Sequence, residues 1–213
     1  GTEDEQAAAA GETGSAGTVT ARCRWRRPAP SVHGLAWSDV EKAFDLPAVS
    51  DPMSRHPKMP APGEPIRLHH SVCYGCGDDA PVGLHLKVIA GEGFTVSAQM
   101  VVEQWMQGGP GVIHGGILTA AFDEVLGTAP LTIGAPVVTA HLEVDFAKPI
   151  PLGSTLHFDA EVLAKERRKV FVRASAHLGD PEHPVATAHS IFVEIDLKKH
   201  FAAYRDDAAQ SRP

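Results

Sequence analysis

The spacing of apolar residues divides this chain into stretches with different periods. Residues 1 to 18 are mostly Ala, Gly, Thr and Glu with almost nothing to bury, too little to offset the entropy of ordering, and read as a disordered tail. From Ser38 to Phe44 the spacing Ser38 to Glu41 is that of a capping box and predicts one short helix. Residues 46 to 66 carry Pro47, Pro52, Pro57, Pro60, Pro62 and Pro65, which exclude helix and central strand and predict a linker or a surface strap. Beyond it, Leu84 to Ile89 and Phe94 to Val102 alternate or run apolar around Gly91-Glu92-Gly93, the pattern of a hairpin. Gly115 to Leu126 is helical and apolar on nearly every side. Four strand-like runs follow, Pro136 to Phe146, Ser154 to Leu163, Lys169 to Leu178 and Val185 to Leu197, separated by turn-forming clusters.

A helix on one face of a flat sheet would show a polar stripe. One that is apolar all round has to be wrapped, so two strands, a helix and four strands predict an α+β fold with an antiparallel sheet curled around one central helix. The expected organisation is an N-terminal extension over 1–65, a folded domain over 66–198 and a C-terminal tail over 199–213, with no internal repeat.

At 213 residues, 43% hydrophobic and 21% charged, the chain can bury one sizeable core with an appendage. A formal net charge of −7 argues against nucleic acid as a partner, which calls for an excess of clustered Lys and Arg. The local exception, Arg22-Cys23-Arg24-Trp25-Arg26-Arg27, reads as a solvated or docked part of the extension rather than a phosphate grip. Three cysteines are too few for a secreted disulfide framework. No apolar run approaches the ~20 residues of a bilayer span, and the acidic residues Glu3, Asp4 and Glu5 are the wrong charge for a secretory signal. The expectation is a cytoplasmic protein with no membrane span.

The chemistry concentrates around the predicted central helix. Gly115 and Gly116 follow His114 at its start, where glycine lets a ligand or another backbone approach and unpaired N–H groups favour negative charge. Asp123 stands in the apolar middle of the helix, where burying a carboxylate costs several kcal/mol unless hydrogen bonds or a function compensate. Glu124 points about 100° away around the helix and reads as the more exposed or structural member of the pair. Nine residues separate His114 from Asp123, roughly 13 Å along the axis, so one chain cannot bring both helix start and carboxylate to a single carbonyl. Two antiparallel helices meeting head to tail would, giving two equivalent sites per two-fold interface. The alternative is that the glycines only permit tight packing and Asp123 is a satisfied buried acid.

The run His114-Gly115-Gly116 with Asp123, followed by Val138-Thr139-Ala140-His141-Leu142-Glu143-Val144-Asp145-Phe146-Ala147-Lys148-Pro149-Ile150-Pro151-Leu152-Gly153, resembles the PaaI-type acyl-CoA thioesterases of the hotdog superfamily. The similarity is to the branch that includes the mammalian mitochondrial thioesterase-superfamily proteins. Cys73-Tyr74-Gly75-Cys76-Gly77 through Pro81-Val82-Gly83-Leu84-His85-Leu86 resembles that branch's opening, and the likeness covers about residues 70 to 197. The resemblance implies a hotdog fold and hydrolysis of acyl-CoA by a homodimer or a dimer of dimers, without a cofactor. It implies Asp123 as the catalytic acid, acting as general base on water or attacking directly to give a mixed anhydride. Gly115 N–H becomes the oxyanion donor, with Gly116 beside it, His114 the helix-start residue that shapes the pocket, and Thr139 the hydroxyl holding the attacking water. Without the likeness, Thr139 reads as an ordinary β-branched strand residue. Some relatives carry an Asn in the loop before His-Gly-Gly; here that loop holds Gln104, Gln107, Gly108 and Gly109, with Gln107 the candidate substitute.

Candidates for lining an acyl tunnel are Trp105, Leu118, Phe122, Leu126 and Ile133, each of which reads equally well as core. Lys165, Arg167, Arg168 and Lys169 lie between two predicted strands and are candidates for the phosphates of coenzyme A, or simply a solvated turn. Cys73 and Cys76 have Cys-x-x-Cys spacing with His69 and His70 before them, but adjacent histidines seldom both reach one ion and no second Cys-x-x-Cys exists. The expected outcome is a glycine-bearing turn with buried thiols and no metal. His85, His141, His157 and His177 read as structural. A hotdog dehydratase would pair its acid with a His about five residues on, where this chain has Thr128. The remaining alternative is a non-catalytic acyl-CoA or acyl-carrier binding protein. The extension is expected to pack across the dimer or the pocket mouth.

Overall fold

In the computed structural model the described residues are 45–67 and 70–202. The tail expected over 1–18, the arginine-rich run, the helix expected over Ser38–Phe44, His69 and the end of the expected C-terminal tail lie outside them. The sheet contains β1 (Val88–Ala90), β2 (Thr95–Val101), β3 (Val137–Phe146), β4 (Thr155–Glu166), β5 (Lys169–His177) and β6 (Ala186–Glu194). All pairs are antiparallel, in the order β1-β2-β4-β5-β6-β3. Helix α1 (Gly115–Thr128) lies against this sheet and continues through a 3-10 turn over Ala129–Ile133; a short α2 (Leu197–His200) follows β6. This is the hotdog architecture, and α1 is the helix that the sheet wraps.

Strand β4 shows why the sheet wraps the helix. Leu156, Phe158, Ala160 and Val162 are buried on alternate positions, one face of a pleat, and belong to the same core as Leu118, Phe122, Val125 and Leu126 of α1. Phe122 meets Phe158 edge to face with ring centroids 5.3 Å apart. A second, small cluster of Ala164 and Phe171 with Leu163 and Ile191 lies apart from this core. It follows a register shift between Val162 and Ala164.

Two strand boundaries differ from the sequence pattern. The first is the run from Leu84, where only Val88–Ala90 pairs as a strand. His85 has φ +49°, Leu84 N–H donates to Tyr74 O at 2.8 Å and Leu86 N–H to Gly75 O at 2.9 Å, so the apolar residues anchor a loop instead of a ladder. At the other end, β6 stops at Glu194 rather than Leu197, because the Asp196 carboxylate caps α2, accepting from Lys198 N–H at 3.0 Å and Lys199 N–H at 3.2 Å. Helix α2 therefore spans the 198/199 boundary expected from sequence.

The proline-rich segment is a strap across this chain's own turns. Asp51 N–H donates to Lys165 O at 2.7 Å and its carboxylate accepts from Arg167 N–H at 2.6 Å, which holds the β4–β5 turn. Farther along, His56 N–H donates to Thr132 O at 2.7 Å, and Gly63 and Glu64 pair with Ala90 at the sheet edge. Arg55 ties the strap to the β1–β2 turn, its guanidinium donating to Gly91 O at 2.9 Å, Gly93 O at 2.7 Å and Pro60 O at 2.8 Å.

Two stability measurements check this account by chemical denaturation. Phe122→Ala opens the fully buried centre of the core and should cost about 3–5 kcal/mol. Arg55→Ala leaves three carbonyls without their charged donor and should cost about 1–3 kcal/mol, with proteolytic cleavage appearing first within residues 46–66.

Candidate active site

Helix α1 begins at an exposed glycine corner. His114 is its N-cap in extended conformation, with Nδ1 accepting from Gly116 N–H at 2.9 Å, and its own N–H donates to Met106 O at 2.7 Å. The preceding loop passes so close that a Cβ on Gly108 would fall 2.7 Å from His114 Cα, so glycine is required there. Gly115 differs. A Cβ on it would meet only the Phe146 ring at 3.5 Å, an ordinary contact, so packing within the chain does not explain the absence of a side chain. Gly115 and Gly116 are both exposed.

Gln107 is engaged inside the same loop. Its side-chain carbonyl accepts from Gly111 N–H at 3.1 Å, and residue 107 bridges to Ile113. Trp105 is exposed and its indole N–H donates to the Glu103 carboxylate at 3.0 Å. Of the acyl-tunnel candidates, Leu118, Phe122 and Leu126 are sealed in the core between α1 and the sheet, and Ile133 packs against it partly buried. For these four the core reading is the one the packing supports.

Asp123 is half-buried, and Thr139 Oγ1 donates to its Oδ1 at 2.8 Å. The two residues are sixteen positions apart and meet because β3 lies against α1. At this point β3 is irregular: Thr139 pairs with Phe192 and His141 with Ile191, leaving Ala140 as the extra residue of a bulge. Such a bulge bends a strand and re-aims its side chains. Here Thr139, Ala140 and His141 are all exposed in succession, so the usual alternation is suspended next to the carboxylate. Neither the bulge nor its place was visible in the sequence. Gly115 stands eight residues before Asp123, about 12 Å along the same helix, so within one chain the glycine corner and the carboxylate stay apart.

The basic turn occupies the same end of the sheet as Thr139. Thr139 pairs with Phe192, which pairs with Val170, so Lys169 begins one row beyond and two strand spacings away, about 10 Å. Arg167 sits at the turn with φ +55°, Arg168 Nε donates to Glu194 O at 2.9 Å, and Lys165 Nζ pairs with Glu194 Oε2 at 2.7 Å. An open recess of about 850 Å³ beside this turn is lined by Arg168, Glu194, Asp196, Lys199 and His200.

Glu124, the neighbour of Asp123, faces the cysteine loop. Cys73 Sγ donates to Glu124 Oε2 at 3.6 Å, and Cys76 is buried beside them. Burial pushes the Cys76 thiol well above its ordinary range, and the Glu124 carboxylate acts in the same direction. The histidines serve structure: His85 Nδ1 lies 2.7 Å from Gly77 O, and His177 is buried with Nε2 3.0 Å from Asp159 Oδ2 while stacking on His157 at 5.2 Å. His141 lies exposed, 3.0 Å from Glu143. Among the described residues no helix is long and apolar enough to cross a membrane.

Part of this chain is similar to known proteins. Residues 110–185, from the loop before His114 to the start of β6, match the thioesterase superfamily model. Acyl-coenzyme A thioesterase THEM4 of Bos taurus is 30% identical over 95 residues, which is 45% of this chain and 39% of that protein. The Rattus norvegicus THEM4 is 33% identical over 94 residues, 44% of this chain and 40% of the relative. The matched stretch is thus about two fifths of these relatives' length. Among solved structures, a thioesterase superfamily protein superposes with TM-score 0.55 at 22% identity over 58% of this chain and 61% of its own. Zebra fish thioesterase superfamily member 2 does so with TM-score 0.50 at 20% identity over 55% of this chain and 89% of its own. Residues 110–185 thus match the thioesterase superfamily in sequence, and the architecture around them is the fold that these solved proteins share.

Proposed function

We propose that this chain hydrolyses acyl-coenzyme A thioesters, with Asp123 as the acid that activates water or attacks the carbonyl. The observation that carries the reading is the Asp123 carboxylate held by the Thr139 hydroxyl at 2.8 Å on an exposed strand of this fold. The names of the aligned relatives supply the reaction class. In the general-base route, Asp123 takes a proton from water as the water oxygen bonds to the thioester carbon. The carbonyl oxygen gathers the negative charge, stabilised by Gly115 N–H; collapse then breaks the C–S bond and coenzyme A leaves as thiolate, regaining a proton. In the nucleophilic route an Asp123 oxygen bonds to the carbon, the C–S bond breaks and coenzyme A leaves as thiolate; water then attacks the mixed anhydride at the Asp123 carboxyl carbon, releasing the acid and restoring the carboxylate. In a single turnover in oxygen-18 water, that nucleophilic route leaves the first product unlabelled and the label on Asp123, whereas the general-base route labels the product.

The site needs a second copy. Glycine corner and carboxylate are about 12 Å apart in one chain, and reaction requires both within about 3–3.5 Å of one carbonyl. Among the described residues β3 has one hydrogen-bonded neighbour, β6, and Phe146 on it is 48% exposed. An unprotected edge of this length favours pairing with another strand. In this reading two β3 edges join around a two-fold axis, and Gly115 of one copy, with His114 and Gly116 shaping the pocket, faces Asp123 of the other. Arg167, Arg168 and Lys169 then serve the phosphates of coenzyme A, and Gln107 braces the loop at the pocket mouth.

Assay of thiol release over acyl-CoAs of graded chain length should give hydrolysis by the wild type. Asp123→Asn should lower kcat by about 10²- to 10⁴-fold with little change in KM. Thr139→Ala should lose about tenfold and Thr139→Ser regain most of it. A wild type that binds the panel without releasing thiol makes this a binding protein. Light scattering coupled to gel filtration should give a dimer, and Ala140→Lys with Phe146→Glu should yield folded monomers without hydrolysis; monomers as active as the wild type would overturn the shared site.

A further inference from the structure

On the side of α1 that carries Glu124, three side chains of ligating chemistry converge. Cys73 Sγ, Cys76 Sγ and a Glu124 carboxylate oxygen all lie within 4.8 Å of one another. We propose that Cys73, Cys76 and Glu124 bind one zinc ion, which clips the loop over residues 70–86 to the central helix.

The spacing fits the ion. Zinc holds sulfur at about 2.3 Å and carboxylate oxygen at about 2.1 Å; at a tetrahedral angle these bonds put the sulfur and oxygen about 3.6 Å apart and two sulfurs about 3.8 Å apart. Cys73 Sγ stands 3.6 Å from Glu124 Oε2. The loop that presents the sulfurs is already shaped by its own backbone: Gly77 N–H donates to Cys73 O at 2.8 Å and Asp79 N–H to Ser71 O at 2.8 Å. Leu84 and Leu86 fasten its far side to Tyr74 and Gly75. A Cβ on Gly75 would collide with the Glu124 carboxylate and one on Gly77 with the Cys73 backbone, so the close approach of loop to helix depends on Gly75 and the loop's own turn on Gly77.

There is room for a fourth ligand. A cavity of about 20 Å³, lined in part by Cys76, Glu124 and Thr128, adjoins the cluster. That volume holds one water, for which about 10–15 Å³ suffices. Two thiolates and a carboxylate around a dication leave one negative charge, and Arg67, one of the residues lining the same cavity, carries a positive one. The sequence offers the neighbouring histidines as further ligands, of which His69 lies outside the described residues; the fold adds Glu124, fifty-one residues from Cys73. The ion would be structural. It would fix the rotation of α1 at Glu124, and so the direction in which Asp123, one residue earlier, faces Thr139.

The test is metal loading of the full chain, independent of any hydrolysis. Protein stripped with chelator under a phosphine reductant is titrated with Zn²⁺ alone and with Co²⁺ alone, and bound metal is counted by mass spectrometry. The expected result is about one ion per chain, with thiolate-to-cobalt charge-transfer absorption that Zn²⁺ abolishes. Cys76→Ser should remove binding, Cys73→Ser and Glu124→Gln should each weaken it at least about tenfold, and Cys23→Ser should leave it unchanged. Zn²⁺ should raise the unfolding temperature of the wild type and not that of Cys76→Ser. If Cys76→Ser does not fold, Cys73→Ser and Glu124→Gln carry the comparison. Reduced protein that takes up less than about a tenth of an ion per chain at micromolar metal overturns the proposal, and so does a cobalt spectrum unchanged in Cys73→Ser and Glu124→Gln.

Discussion

Two neighbouring carboxylates in a helix that a sheet has to enclose are the constraint around which this molecule is built. Asp123 and Glu124 leave α1 about 100° apart, so no single environment can satisfy both. Each is met by a different piece of chain: Asp123 by the Thr139 hydroxyl from β3, Glu124 by the Cys73 thiol from the loop before β1. The apolar remainder of the helix supplies the driving force, through Leu118, Phe122, Val125 and Leu126 packed against the sheet. Polar contacts then set the rotation of the helix inside its wrapping, because turning it would strand a partly buried charge.

The architecture was legible because its periods are clean. Alternation in β4 and the missing polar stripe of the central helix define a wrapped helix with no family knowledge. Less legible was anything that depends on one residue's backbone angle. His85 at φ +49° turns an apolar run into a loop, and Asp196 ends β6 by capping a helix whose first residue, Leu197, reads as the end of the strand. Hydrophobicity carries no signal for either.

At the site, the residue types were readable and their meetings were not. The glycine corner, Asp123 and Thr139 stand out or are suggested by likeness, yet the hydrogen bond that joins carboxylate and hydroxyl depends on a bulge at Ala140 that no local pattern announces. Leu118, Phe122 and Leu126 could not be divided between tunnel and core from sequence, because both environments select the same side chains; packing alone decides it. Glu124 was half-read, as structural, without its partner, since nothing local connects it to residues fifty-one positions upstream.

The proline-rich strap has a bearing on how this scaffold can diversify. Ser50 and Asp51 grip the backbone of Lys165 and Arg167, and the same segment ends by pairing with the outer strand at Ala90. Substitutions in the strap therefore reach the cationic turn through main-chain bonds while the interior stays untouched. A lineage carrying this belt can retune that rim by altering exposed positions that tolerate change, leaving the enclosed helix to be inherited intact.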